Sequence, residues 1–190
     1  LVAAAWQFEQ PGSLVPETGN GTGRILLGPG LSSNWPGTGV LAVHGFASGT
    51  TGRIVFAAAT IGRSDIGWYA RLRCSADGPQ TVDVSYSVNG VDGPWQVLME
   101  GAALDDASTW RYLGGLASDA TLANNPSAAF ALAAYHAAGG TLEFDNVEIG
   151  ALTPEPGGVM ACILAVWWHK RRADGTLMVS RDWERYENRM

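Results

Sequence analysis

The chain has 190 residues, of which 46% are hydrophobic and only 16% are charged, and its net charge at pH 7 is −6. The hydrophobic content is enough for a folded core and excludes wholesale disorder, and the acidic balance argues against nucleic-acid binding, which requires a basic surface. The 25 glycines, 9 prolines and 8 tryptophans favour strands and loops over helices, and two cysteines are too few for a disulfide-stapled scaffold.

The chain starts with small apolar residues. Residues 1–5 read Leu-Val-Ala-Ala-Ala, in which Ala3 and Ala5 fit the small-residue rule of a secretory cleavage site. We therefore expect residues 1–5 to be the remnant of a signal peptide, with the mature domain beginning near Trp6. The alternative is that these residues belong to a first strand that continues toward Phe8.

Residues 6–150 read as short apolar segments separated by turn residues, a spacing typical of an all-β domain. About ten antiparallel strands in one domain predict a two-sheet β-sandwich, and we expect a jelly roll. The predicted strands are Trp6–Glu9, Arg24–Leu27, Val40–Phe46, Arg53–Thr60, Gly67–Cys74, Thr81–Val88, Trp95–Met99, Trp110–Leu113, Ala128–Tyr135 and Thr141–Ile149.

Strict alternation of apolar and polar residues predicts which side chains face outward. In residues 67–74 the apolar residues alternate with Tyr69, Arg71 and Arg73, and residues 81–88 alternate in the same way. Since successive side chains of a strand point to opposite faces, Tyr69, Arg71 and Arg73 are predicted to lie on the solvent side of a sheet.

In the last predicted strand, the alternation of apolar and polar residues shifts by one position near the middle. Phe144 and Val147 keep the same face only if one residue bulges at Asp145-Asn146. A bulge that presents a carboxylate at a sandwich edge could serve a hard cation, which prefers oxygen ligands. The alternative is that Asp145 and Asn146 form side-chain-to-backbone hydrogen bonds at a turn.

The C-terminal region, residues 151–172, contains three features in a fixed order: Pro154-Glu155-Pro156, an apolar run over 157–168, and the basic cluster Lys170-Arg171-Arg172. This order resembles the PEP-CTERM sorting signal of Gram-negative bacteria. The resemblance implies recognition of the tripeptide by an exosortase, a membrane-embedded cysteine protease-transpeptidase. It also implies that the apolar run anchors the chain transiently in the inner membrane, while the basic cluster stays cytoplasmic.

The segment departs from that family pattern in two ways. The apolar run of 12 residues would span only about 18 Å as a helix, against a hydrocarbon core of about 30 Å. A charged tail, residues 173–190, follows the basic cluster. We expect a short C-terminal hydrophobic helix followed by this tail, and the alternative is a short buried helix after a proline linker.

Most of residues 6–156 resembles the jelly-roll ectodomains found before PEP-CTERM anchors, which are similar to galactose-binding-like carbohydrate-binding modules. The resemblance rests on the order of four segments, namely Phe8-Glu9, Arg71–Pro79, Tyr86–Gly90 with Trp95, and Phe144–Ile149. It implies a structural Ca²⁺ held by Glu9 and Asp145, and no other cofactor is expected.

Sugar binding requires exposed aromatic rings supported by polar side chains, and the sequence offers a small set of both. The candidate ligand-binding residues are Tyr69, Arg71, Arg73, Trp95 and Trp110. The alternative for any of these aromatic residues is packing in the core or at a sheet edge.

The sequence gives little sign of catalysis, and we predict that the protein is not an enzyme. His44, His136 and His169 lack metal-ligand spacing, and no nucleophile elbow is present. The first hypothesis is a non-catalytic, exported surface or biofilm-matrix protein associated with exopolysaccharide. The second is a specific carbohydrate-binding module. The third is a glycan-active enzyme, which would require two carboxylates roughly 5–10 Å apart in a cleft.

Overall fold

The structure is a computed structural model that describes residues 2–19, 23–104, 109–135 and 139–151. Within these residues the strands are β1 Val2–Trp6, β2 Thr18–Gly19, β3 Arg24–Leu27, β4 Ser32–Gly37, β5 Val40–His44, β6 Gly52–Ala57, β7 Ile66–Cys74, β8 Thr81–Ser87, β9 Gln96–Ala103, β10 Arg111–Leu116, β11 Ala129–Tyr135 and β12 Thr141–Ala151. One 3-10 turn, Ala120–Leu122, lies between β10 and β11. No helix among the described residues has the length and apolarity needed to cross a membrane.

The strands form two antiparallel sheets, which confirms the predicted β-sandwich. The first sheet has the order β10-β7-β12-β1-β2, with β5 paired to β12 and β4 paired to β5. The second sheet has the order β3-β6-β11-β8-β9. The predicted C-terminal helix, the sorting segment after Ala151 and the charged tail lie outside the described residues.

Strand β12 organises the first sheet and contains the predicted bulge. One side of β12 pairs with β7 from Leu142 to Ala151, and the register shifts between Phe144 and Asn146. Its other side pairs first with β5, through Thr141–Phe144, and then with β1. The bulge lets both Phe144 and Val147 face the core, where they are fully buried. The shift in the alternation of apolar residues had predicted this arrangement.

The N-terminal residues lie inside the sandwich. Strand β1 lies between β12 and β2, and its residues Ala3–Trp6 are all buried. Residues 2–5 therefore form part of the first sheet, as in the alternative that the sequence left open, and the domain start near Trp6 stays a prediction. The signal-peptide interpretation of residues 1–5 stays a prediction, and cleavage after Ala5 would remove most of β1.

The core is built around one aromatic side chain of the second sheet. The Phe56 ring lies 5.8 Å from Trp6, 5.9 Å from Trp68 and 5.7 Å from Phe144, measured between ring centroids. Tilted and edge-on pairs of this kind each add about 0.5–1.5 kcal/mol beyond their buried area. Because Trp68 and its alternate neighbours fill the core, the intervening side chains of β7 face outward.

Candidate functional site

The outward side chains of β7 and its two neighbours form one polar and aromatic surface, which we call the outer β7 face. Strand β7 is flanked by β10 on one side and β12 on the other. The described residues that make up the face are Tyr69, Arg71, Arg73, Trp110, Tyr112, Glu143, Asp145 and Glu148. Three of the five predicted ligand-binding residues are on β7, and Trp110 directly precedes β10.

The first row of the outer β7 face joins Trp110, Arg73 and Glu143. The guanidinium carbon of Arg73 lies 4.6 Å from the centroid of the Trp110 ring. On its other side, Arg73 donates from Nε to Oε2 of Glu143 at 2.7 Å. The pairing of β7 with β12 places these two residues directly opposite each other, so the guanidinium is fixed between an aromatic ring and a carboxylate.

A second, parallel row joins Tyr112, Arg71 and Asp145. Arg71 is opposite Tyr112 in the β7–β10 register. Its guanidinium carbon lies 5.8 Å from the Tyr112 ring and 5.1 Å from the Trp110 ring. Nη1 of Arg71 donates to Oδ2 of Asp145, the residue at the β12 bulge. The two rows therefore repeat the same order of aromatic ring, guanidinium and carboxylate.

A third pair, Tyr69 and Glu148, continues the face beyond the two rows. The two residues are directly opposite in the register of β7 and β12. Burial, and then the negative charge of Glu148, raise the pKa of Tyr69 to about 12. Burial also raises the pKa of Glu148. The Tyr69 ring packs against Gly67 and Gly114, where a β-carbon would clash with the ring. The ring therefore packs against the surface of the sheet.

The aromatic edge of the outer β7 face is open to solvent. Tyr112 is 57% exposed, and Leu116, further along β10, is 45% exposed. The side chains of Arg71 and Arg73 are each 36% exposed. An exposed ring beside oriented guanidinium and carboxylate groups can stack on a sugar and form hydrogen bonds with its hydroxyl groups.

Trp95 lies on the outer surface of the second sheet, away from the other four predicted ligand-binding residues. It packs against Val55, Ala129 and Ala131, which are buried on that surface. The guanidinium carbon of Arg53 lies 4.1 Å from the centroid of its ring. The structure therefore brings Tyr69, Arg71, Arg73 and Trp110 together and separates them from Trp95.

The two proposed calcium ligands have different surroundings. Asp145 is paired with Arg71, and Glu9 is an exposed residue beyond the end of β1. Across the described residues, no group of three or more histidine, cysteine, aspartate and glutamate side chains could hold a metal ion. The calcium site stays a prediction.

His44 and the two carboxylates beside Arg71 and Arg73 have defined partners. His44 shares a hydrogen bond with an asparagine side chain of β4, while His136 and His169 lie outside the described residues. Glu143 and Asp145 are each engaged by an arginine. These ion pairs hold both carboxylates against the guanidinium groups of the outer β7 face.

Sequence reasoning missed three members of the outer β7 face: Tyr112, Glu143 and Glu148. Tyr112 follows Trp110 by two residues, so strand alternation could have placed both on one face. The two glutamates could not be assigned in this way, because their position beside β7 depends on the register of a distant strand that contains a bulge.

No protein-family model matches this sequence, and no curated protein matches it. Among solved structures, the chain is similar to the CBM22-1 xylan-binding domain of Xyn10C from Paenibacillus barcinonensis, with a TM-score of 0.50, 13% identity, and coverage of 79% of this chain and 94% of that domain. The tandem CBM22-1-CBM22-2 domain of the same protein gives a TM-score of 0.50 and 13% identity over 83% of this chain and 47% of the tandem. The K1 cleaved adhesin domain of Lys-gingipain from Porphyromonas gingivalis W83 has a TM-score of 0.47 and 17% identity to this chain. The match covers 78% of this chain and 98% of that domain.

The chain thus spans about half the length of the tandem protein and nearly all of the single xylan-binding domain. At these identities the similarity shows the fold alone. This fold is a two-sheet antiparallel β-sandwich, similar to that of the xylan-binding domain.

Proposed function

We propose that this protein is a non-catalytic carbohydrate-binding protein and that polysaccharide binds to its outer β7 face. The observation that carries the proposal is the pair of parallel rows, Trp110–Arg73–Glu143 and Tyr112–Arg71–Asp145. The fold likeness to a domain named for xylan binding supports the proposal at the level of architecture.

The arrangement of the rows suggests how a glycan would lie. Trp110 and Tyr112 are two residues apart, so their side chains are about 7 Å apart along the strand direction. A sugar chain running along β10 would contact both rings. Arg71 and Arg73 lie beside these rings and would direct N–H groups toward its hydroxyl groups.

Substitution of Tyr112 provides the direct test. Tyr112→Ala removes the most exposed ring of the face, and Tyr112→Phe keeps the ring. We expect Tyr112→Ala to weaken binding to a soluble polysaccharide about tenfold or more, because truncation of a central aromatic contact commonly costs about 2 kcal/mol. Tyr112→Phe should bind within about twofold of the wild type if stacking dominates.

The measurement is affinity electrophoresis of the full chain in gels that contain linear xylan, mannan or β-1,3-glucan. Ile61→Ala is the matched control, since it removes an exposed apolar side chain from the segment between β6 and β7, outside the outer β7 face. Equal retardation of wild type and Tyr112→Ala, or no retardation of the wild type by any polysaccharide, would overturn the proposed site. Trp95→Ala in the same gels tests the predicted role of Trp95 separately.

We also propose that the protein is exported and sorted through residues 151–172 to the cell surface or extracellular matrix of a Gram-negative bacterium. The proposal rests on the sequence resemblance to PEP-CTERM signals, with an exosortase as the processing partner. In that setting exopolysaccharide would be the ligand of the outer β7 face.

Sorting is tested by the mass of the mature protein recovered from an exosortase-positive host. We expect the wild-type chain to lose the segment after Pro156. The variant with Pro154, Glu155 and Pro156 all replaced by alanine should retain Met190. Thr153→Ala is the matched control and should be processed like the wild type. Identical masses for the wild type and the triple variant would remove the sorting proposal.

A further inference from the structure

We infer that the polysaccharide bound by the outer β7 face is uncharged, and that Glu143 and Asp145 set this selectivity by neutralising Arg73 and Arg71. The inference rests on the proposed function and adds the chemical class of the ligand. It also gives Asp145 a role in ligand selection that does not require a metal ion.

The charges of the face carry the inference. Each guanidinium on it is engaged by a carboxylate of β12, Arg73 by Glu143 at 2.7 Å and Arg71 by Asp145. Glu148 adds a third acidic side chain on the same face. Among the described residues of the outer β7 face there are thus two cations and three acidic groups, and neither cation is left without an acidic partner.

Such a surface is unsuited to an acidic polysaccharide. A polyanion binds tightly when unpaired cations neutralise its charges and release its counterions. Here a uronate or sulfate group would meet guanidinium groups whose positive charge is already balanced by Glu143 and Asp145. The net charge of −6 on the whole chain adds a long-range repulsion.

The same surface suits hydroxyl groups. A sugar hydroxyl can donate to a carboxylate oxygen and accept from a guanidinium N–H. Arginine has five N–H donors, and the ion pair of Arg73 with Glu143 is made through Nε. An uncharged glycan can therefore form hydrogen bonds with both members of each ion pair while its pyranose rings stack on Trp110 and Tyr112.

The test replaces both carboxylates by their neutral isosteres. Glu143→Gln combined with Asp145→Asn removes the two negative partners and keeps the side-chain shapes. The matched control combines Asp92→Asn with Glu100→Gln, two exposed residues away from the face. Each double variant removes two negative charges from a chain of net charge −6. Any difference in binding between the two variants therefore reflects the loss of the partners of Arg71 and Arg73.

Each protein is examined by affinity electrophoresis at pH 7 with two uncharged probes, linear xylan and mannan, and two anionic probes, alginate and polygalacturonate. We expect the wild type to be retarded by an uncharged probe and not by the anionic ones. The Glu143→Gln/Asp145→Asn variant should gain at least about tenfold in affinity for an anionic probe at 50 mM NaCl and lose it at 200 mM NaCl, because the new attraction is electrostatic. The control variant should gain nothing.

Three results would overturn the inference or its premise, and they are distinguishable. Preferential binding of the wild type to alginate or polygalacturonate would refute the uncharged ligand and leave the binding function standing. Equal gains for the test and control variants would refute the role of the two carboxylates. No binding of the wild type to any probe would refute the proposed function itself. If the double variant unfolds below the assay temperature, the single variant Asp145→Asn replaces it, with an expected smaller gain for the anionic probes.

Discussion

The Nε atom of Arg73 donates to Oε2 of Glu143 at 2.7 Å across the β7–β12 pair. The same guanidinium group lies against the Trp110 ring at 4.6 Å. A flexible arginine side chain is thereby held in one place before any ligand arrives, which lowers the entropy lost on binding. The carboxylate therefore orients the cation as well as balancing its charge.

The bulge in β12 gives Arg71 an equivalent partner. Phe144 and Val147 are both fully buried, and in a regular strand two residues three apart would point to opposite faces. The extra residue at Asp145 resolves this conflict and places a carboxylate beside Arg71. One insertion thus satisfies the core and completes the second row of the outer β7 face.

Replacement of Gly114 by alanine should destabilise the first sheet. A β-carbon at this position would clash with Cδ1 of Tyr69 and would lie 2.5 Å from the backbone oxygen of Trp68. We expect a cost of about 1–3 kcal/mol, typical of overpacking, which corresponds to a decrease in Tm of roughly 2–12 °C. Thermal unfolding followed by circular dichroism is the measurement.

The adjacent residue provides the control for Gly114→Ala. A β-carbon at Gly115 would meet Leu98 at 3.7 Å, an ordinary van der Waals contact. Gly115→Ala should therefore change the stability by no more than about 0.5 kcal/mol. Equal Tm values for the two variants would contradict the packing of Tyr69 on Gly114.

Glu148 should make the stability depend on pH. Burial raises the pKa of this carboxyl group, so folding favours its protonated form. The stability linked to Glu148 is thus fully present below its unfolded pKa of about 4.3 and is lost as the pH rises through the higher folded value. We expect Glu148→Gln to have a higher Tm than the wild type at pH 7 and a difference that shrinks toward pH 4.

Tm values between pH 4 and pH 8 provide the measurement for Glu148. Glu100→Gln removes the same charge from an exposed position on β9 and separates the local effect from the change in net charge. A Tm difference between Glu148→Gln and wild type that stays constant across this range would show that Glu148 does not titrate as its burial predicts.

Chelation tests the predicted calcium site. The carboxylate of Asp145 is engaged by Arg71, and the described residues contain no cluster of acidic, histidine or cysteine ligands around it. If the predicted calcium ion is present, it stabilises the folded state by mass action, and EDTA should lower the Tm of the wild type. A wild-type Tm that EDTA leaves unchanged would remove the calcium prediction. A Tm that falls in EDTA for the wild type, and not for Asp145→Ala, would establish the calcium site with Asp145 as a ligand.

Alternation of side chains made the strands of the core predictable. The alternation of apolar and polar residues over 67–74 correctly predicted that Trp68 and Leu72 face the core and that Arg71 faces outward. The alanine-rich segment 128–135 also forms a strand, β11, because it is paired on both sides by β6 and β8. In contrast, β2 and β4 were missed, since they are short or mostly polar edge strands without an alternating pattern.

The contacts within the site depended on information that a single sequence does not contain. Arg73 and Glu143 are separated by 70 positions, and Arg71 and Asp145 by 74. Their meeting requires that β7 and β12 be neighbours and that the bulge shift the register by one residue. Local patterns predicted the outward arginines and the bulge, whereas the pairing of the strands determined which carboxylate each arginine contacts.

The buried position of β1 leads to a final prediction. A chain that begins at Trp6 would lack Ala3 and Ala4, which are 1% and 0% exposed, and would lose four of the five residues of β1. The edge of β12 from Glu148 to Gly150 would then have no partner on that side. Because this change removes both core packing and a ladder of backbone hydrogen bonds, we expect the Tm to fall by about 10 °C or more. Removal of Leu1 alone is the control and should have little effect. If the chain that begins at Trp6 melts at the same temperature as the full chain, β1 does not contribute to the stability of the sandwich, and processing after Ala5 would be compatible with the fold.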